Sequence, residues 1–104
     1  MIEVTILVPV AGNDGHTFSA PHHLTFETFV LDRFGGISRL PETAEGVWRD
    51  DGGVTYRDAT IAYVIAADGL VKRGAALREV LDFAKDHYRQ LAVYVRYLGQ
   101  AEII

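Results

Sequence analysis

Cysteine is absent from the 104 residues. That excludes a disulfide framework, a thiolate nucleophile and every cysteine-ligated zinc or iron–sulfur site. Positive charge is scarce too: 10 lysines and arginines face 14 aspartates and glutamates, for a net charge of −4. A surface that tracks nucleic-acid phosphates is therefore not expected. No apolar run approaches the roughly 18–20 residues of a membrane span, and no basic, apolar, small-residue leader opens the chain. The expectation is a soluble, cytoplasmic protein that binds neither nucleic acid nor membrane. Repeats, low-complexity tracts and Pro/Gly/Ser linkers are missing as well, so residues 1–104 read as one domain.

What is present suffices for a core. Hydrophobic residues make up 49% and charged residues 23%, outside the range of disordered chains. Ile2 to Val10 starts with alternation and is rich in β-branched residues, the pattern of a strand with Ile2, Val4, Ile6 and Val8 on one face. Pro9 cannot donate to a ladder, so the strand is expected to end there or lie at an unpaired edge. Residues 11–21 are turn chemistry (Gly12, Asn13, Asp14, Gly15), longer than the usual connection of about four to six residues. From His22 to Phe34 the period becomes helical, with Phe26, Phe29, Val30 and Phe34 inward, Glu27 and Asp32 in water, and Gly35-Gly36 as the stop.

A second strand is expected within Ile37–Arg49, interrupted at Leu40-Pro41-Glu42-Thr43. Asp50-Asp51-Gly52-Gly53 then signals a hairpin. On the return strand, Val54 to Ala67, the apolar residues change parity between Tyr56 and Ile61, which predicts a bulge or bend near Arg57-Asp58-Ala59. A second helix follows from about Val71 to Tyr88, burying Leu77, Val80, Leu81, Ala84 and Tyr88. Leu91 to Leu98 reads as the last strand, broken by Gly99, and residues 101–104 as a short edge strand or a clasp for a partner. The order β-α-β-β-α-β predicts a ferredoxin-like α+β fold: a four-stranded antiparallel sheet with two helices on one face.

No catalytic constellation is legible. Ser19 and Ser38 lie in no nucleophile elbow, and Gly12-Asn13-Asp14-Gly15 lacks the spacing and Lys-Ser/Thr ending of a phosphate loop. His16, His22 and His23 cluster with Asp14 in or beside the long loop, a reasonable ligand set by residue type. Adjacent His22 and His23 diverge in any regular element, however, and the spacing matches no established site. No metal or cofactor is expected. Asp50-Asp51 reads as turn chemistry, and Arg57-Asp58 as a structural ion pair.

Trp48, Tyr56, Tyr63, Tyr94 and Tyr97 fall on strands, and the sheet face without helices is expected to carry them. With no glycine/aromatic motif of the RNA-recognition type and with acidic neighbours, that face reads as an interface, best covered by a second copy in a homodimer. Trp48 itself is expected to cap the core, or else to wall a pocket opposite the 11–23 loop.

The stretch Phe34-Gly35-Gly36, then Gly46-Val47-Trp48, Tyr63-Val64-Ile65 and Tyr88-Arg89-Gln90-Leu91-Ala92-Val93-Tyr94-Val95, resembles a group of small uncharacterised bacterial proteins of this length. The resemblance spans nearly the whole chain. It implies the same fold and a bacterial source, and carries no activity.

The leading expectation is thus a module acting through self-association or a protein partner. The alternative is a small-molecule enzyme or binder similar to dimeric α/β-barrel proteins, with its ligand between helices and sheet near the 11–23 loop. Asp14, His16, His22, His23, Trp48 and Tyr56 are the candidate ligand-binding residues.

Overall fold

Alternation decides which face of the first strand is buried. Val4, Ile6 and Val8 are almost wholly inaccessible, while Glu3 is exposed and Thr5 and Leu7 are half-buried. The computed structural model describes residues 1–97 and 100–103. In it β1 (Ile2–Pro9) ends at its proline, followed by α1 (Ala20–Phe34), β2 (Ser38–Arg49), β3 (Thr55–Ala67), α2 (Leu70–His87), β4 (Tyr94–Tyr97) and β5 (Gln100–Ile103). This is the ferredoxin-like βαββαβ arrangement with a fifth strand added at the edge. The sheet order is β2-β3-β1-β4-β5, and every neighbouring pair is antiparallel. Leu98 and Gly99, where the sequence places the strand break, and Ile104 lie outside the described residues.

The core forms where one sheet face meets both helices. Val4, Ile6, Val8, Ile61, Tyr63, Ile65, Val93 and Val95 supply the sheet side, against Phe26, Val30, Leu77, Val80, Leu81, Ala84 and Tyr88 from α1, α2 and the residue after α2. Gly35 closes α1 at φ 76°, a left-handed conformation, and its N–H returns to the Leu31 carbonyl at 2.9 Å.

The strand pairing corrects one expectation and bears out another, the interruption of the second strand at Leu40-Pro41-Glu42-Thr43. No register shift occurs at Arg57–Ala59. The irregularity lies on β2, between Arg39 and Thr43, where Pro41 has no N–H for the ladder. The apolar parity of β3 changes for a different reason: β1 pairs with it only from Thr60 to Ala67. Residues 55–58 pair with β2 alone, beyond a last bond from the Val10 N–H to the Ala59 carbonyl at 3.0 Å, so the β2–β3 hairpin leaves the core as an arm. Every residue from Ser38 to Ala59 except Asp50 is exposed.

Register also sorts the aromatics. Tyr63 is opposite Ile6 and Tyr97 opposite Val4, so both belong to the helix-covered face. Tyr94 is opposite Leu7, on the open face, and Trp48 and Tyr56 share that parity on the arm. Trp48 is 52% exposed and does not cap the core.

Candidate functional site

The 11–21 loop is more ordered than its composition predicts. Ala11 bridges Thr17, the Gly12 N–H donates to the His16 carbonyl, and the Phe18 N–H donates to the Val10 carbonyl, closing a small hairpin. At its tip the Asp14 carboxylate accepts from the His16 N–H at 3.0 Å and from His16 Nδ1 at 3.1 Å. The backbone N–H first, then the ring, holds the Asp14 carboxyl below its usual range. Asp14 and His16 are exposed and satisfy one another.

Ser19 then N-caps α1: its Oγ accepts from the His22 N–H at 3.3 Å, and Pro21 sits in the first turn, where a missing N–H costs nothing. His22 and His23 leave that turn in different directions. The His22 ring stacks on His87, the last residue of α2, with centroids 3.7 Å apart and planes 11° from parallel. Each Nε2 donates to the other residue's backbone carbonyl, at 2.9 and 2.7 Å, which fixes the proton on Nε2 of both rings. The stack continues on both sides. Phe18 lies 4.6 Å from His22, Phe83 lies 5.0 Å from His87, Phe29 lies 4.0 Å from Phe83, and the Arg33 guanidinium sits 3.5 Å over Phe29. Five rings and a cation thus join the loop, α1 and α2 along one column. Burial first, and the nearby His87 second, hold the His22 pKa below 6.5.

His23 turns inward and is 5% exposed. Its Nδ1 meets the Tyr88 hydroxyl at 2.7 Å. Burial is the main cause of the lowered His23 pKa and of the raised Tyr88 pKa, so both groups are neutral at neutral pH. Deeper in the helix–sheet layer, Tyr63 donates its hydroxyl to Glu27 Oε2 at 2.5 Å. Glu27 is half-buried here, against the expectation that it faces water. Arg39 is the cross-strand partner of Tyr63 on β2.

The arm carries a third group. Trp48 and Tyr56 are cross-strand partners stacked at 4.5 Å. Trp48 Nε1 donates to Asp58 at 2.9 Å and the Tyr56 hydroxyl to Asp50 at 3.1 Å. Asp58 therefore serves the indole, and Arg57 pairs with Glu45 instead. Asp50 also accepts from the Val54 N–H, its expected turn role.

The six candidate residues consequently fall into separate places: Asp14 and His16 at a loop tip, His22 in the column, His23 in the core, and Trp48 and Tyr56 on the arm. Among the described residues, no group of three or more His, Asp or Glu is placed to hold a metal ion. Sequence reasoning passed over His87, Glu27, Arg39 and the inward role of Tyr63. The parity of Tyr63 with Ile61 and Ile65 carried the signal for the last.

A comparison with protein-family models finds no match, and one with curated proteins finds none. Among solved structures, a phage SAM lyase in complex with S-methyl-5'-thioadenosine is similar over 99% of this chain and 88% of its own, at a TM-score of 0.75 and 13% identity. A phage SAM lyase in the apo state is similar over 99% and 87%, at 0.70 and 12%. At these identities the likeness is one of fold, and it extends over nearly the whole of this small α+β domain.

Proposed function

We propose that this chain is a self-associating module in which the β2–β3 arm of one copy lies against the open sheet face of another. The observation that carries this reading is the arm itself. It presents Leu40, Val47, Trp48, Val54 and Tyr56 to water, five of the exposed large apolar side chains, and a two-stranded ribbon alone is marginal in water. Covering each stabilises by about 1–2 kcal/mol at most. A second copy is the fitting occupant because the same chain carries the complement. The open face offers Leu7, Val64 and Tyr94, and the Arg96 side chain there has no hydrogen bond or ion pair among the described residues, while the arm brings Asp50 and Asp58. Trp48 is the single tryptophan, so its emission reports the contact. On dilution from high micromolar to nanomolar protein, it should move to longer wavelength with a sigmoidal concentration dependence. A constant, solvent-exposed emission maximum at every concentration contradicts the reading.

A second reading is favoured by the near full-length likeness to a phage SAM lyase solved with S-methyl-5'-thioadenosine. On that reading the chain binds an adenosine thioether or sulfonium. The stacked Trp48–Tyr56 pair and its carboxylates suit a planar base or a sulfonium cation. Incubation with S-adenosylmethionine, followed by chromatography for methylthioadenosine, tests it. Substrate that is neither bound nor consumed contradicts it.

A further inference from the structure

Tyr63 is flanked by two opposite charges that do not pair with each other. Its hydroxyl donates to Glu27 Oε2, and its cross-strand neighbour is Arg39. Directly opposed residues on one face have Cβ atoms about 4.5–5.5 Å apart, so the Arg39 side chain starts beside that of Tyr63, whose hydroxyl Glu27 engages. Its charge is felt throughout this corner, lowering the pKa of His23 and opposing the rise at Tyr63 and Tyr88. Yet among the described residues the Arg39 side chain makes no hydrogen bond or ion pair, and Glu27 uses only one carboxylate oxygen. The β2 register shift begins immediately after Arg39. Such irregularities redirect the side chains beside them, and on this edge strand Arg39 is exposed, while Glu27 is half-buried and Tyr63 wholly buried.

We propose that Arg39 and Glu27, the latter held by the buried Tyr63 hydroxyl, bind the zwitterionic end of a small molecule, an α-amino-acid group, with its carboxylate on Arg39 and its ammonium on Glu27. The guanidinium fork matches a carboxylate in two parallel hydrogen bonds. The free Glu27 oxygen accepts from the ammonium, and the phenol holds the other oxygen in place. The surroundings define the rest of the ligand. Leu24 and Leu31 lie one turn either side of Glu27 on α1, and both are exposed. An apolar side chain fits there. Every group belongs to one chain, so the site does not depend on self-association or on nucleoside binding.

Titration of the 15N-labelled protein with L-leucine, followed by NMR, tests this. Saturable shifts are expected at Arg39 Nε–H and at the backbone amides of Glu27, Arg39 and Tyr63. N-acetyl-L-leucine lacks the ammonium and isoamylamine lacks the carboxylate, so each should bind at least about tenfold more weakly. Glu27→Gln keeps an acceptor for Tyr63, and Arg39→Gln changes an exposed residue. Both variants should retain a folded spectrum and lose affinity by a similar factor. Absence of saturable shifts with L-leucine overturns the proposal, as does equal binding of the three compounds or unchanged affinity in either folded variant.

Discussion

Tyr88→Phe removes a single oxygen from a residue that is 1% exposed, and its consequence falls on His23, itself 5% exposed. The ring contacts of residue 88 with Phe18 and Phe26, at 5.1 and 5.7 Å, survive the change. What goes is the 2.7 Å contact with His23 Nδ1. A polar nitrogen is then left unpaired in the core, which costs about 1–3 kcal/mol. Removing both partners is different in kind. In the double variant His23→Leu/Tyr88→Phe no polar group is stranded, so that contact becomes nearly neutral. The two changes should therefore be sub-additive by about 0.5–3 kcal/mol, the range for coupled neighbours. Urea unfolding of wild type, both single variants and the double variant closes the cycle. All four are measured at pH 7.5 and one protein concentration, because association shifts apparent stability. Strict additivity within about 0.3–0.5 kcal/mol, the scatter of independent sites, refutes the reasoning.

Stability should fall on mild acidification. Burial first lowers both His22 and His23, with His87 and Arg39 respectively as the second causes. Each binds a proton more readily unfolded than folded, so its contribution is complete above the unfolded value near 6.5 and is lost as pH drops below it. Urea midpoints at pH 7.5 and 5.5 should differ, and His23→Leu should shrink the difference. Equal wild-type midpoints would contradict the assignment. Asp14→Ala and His16→Ala change only an exposed pair that satisfies itself, so thermal midpoints should match wild type; a clear drop would make the loop tip structural. Phe26→Ala empties a wholly buried site and should cost about 3–5 kcal/mol by urea unfolding, with a loss under about 1 kcal/mol placing Phe26 outside the core.

The elements were legible because their signals are local. The inward stripe of α2, the Gly35 stop and the Asp50–Gly53 turn depend on spacing and backbone chemistry within a few residues, and each stands where the periodicity places it. The bend predicted at Arg57–Ala59 failed for a tertiary reason. A strand that continues past its inner neighbour switches apolar face without a bulge, since beyond Thr60 there is no core to face. The candidate site was less legible still. His22 meets His87 across 65 residues of sequence, and Glu27 is drawn inward by a hydroxyl on β3. Neither contact leaves a trace in local spacing. Trp48 shows the converse: a large aromatic defaults to the core in a sequence reading, yet here it sits on an arm that leaves the core.

Whether that arm meets a second copy is measured most directly by sedimentation equilibrium. At micromolar concentration the wild-type protein should behave as a species of at least twice the 11.5 kDa chain mass. Trp48→Ser/Tyr56→Ser, with an unchanged circular dichroism spectrum, should return it to the mass of one chain. A wild-type protein that sediments as a single chain throughout, or a double variant that associates as tightly as wild type, would contradict the account.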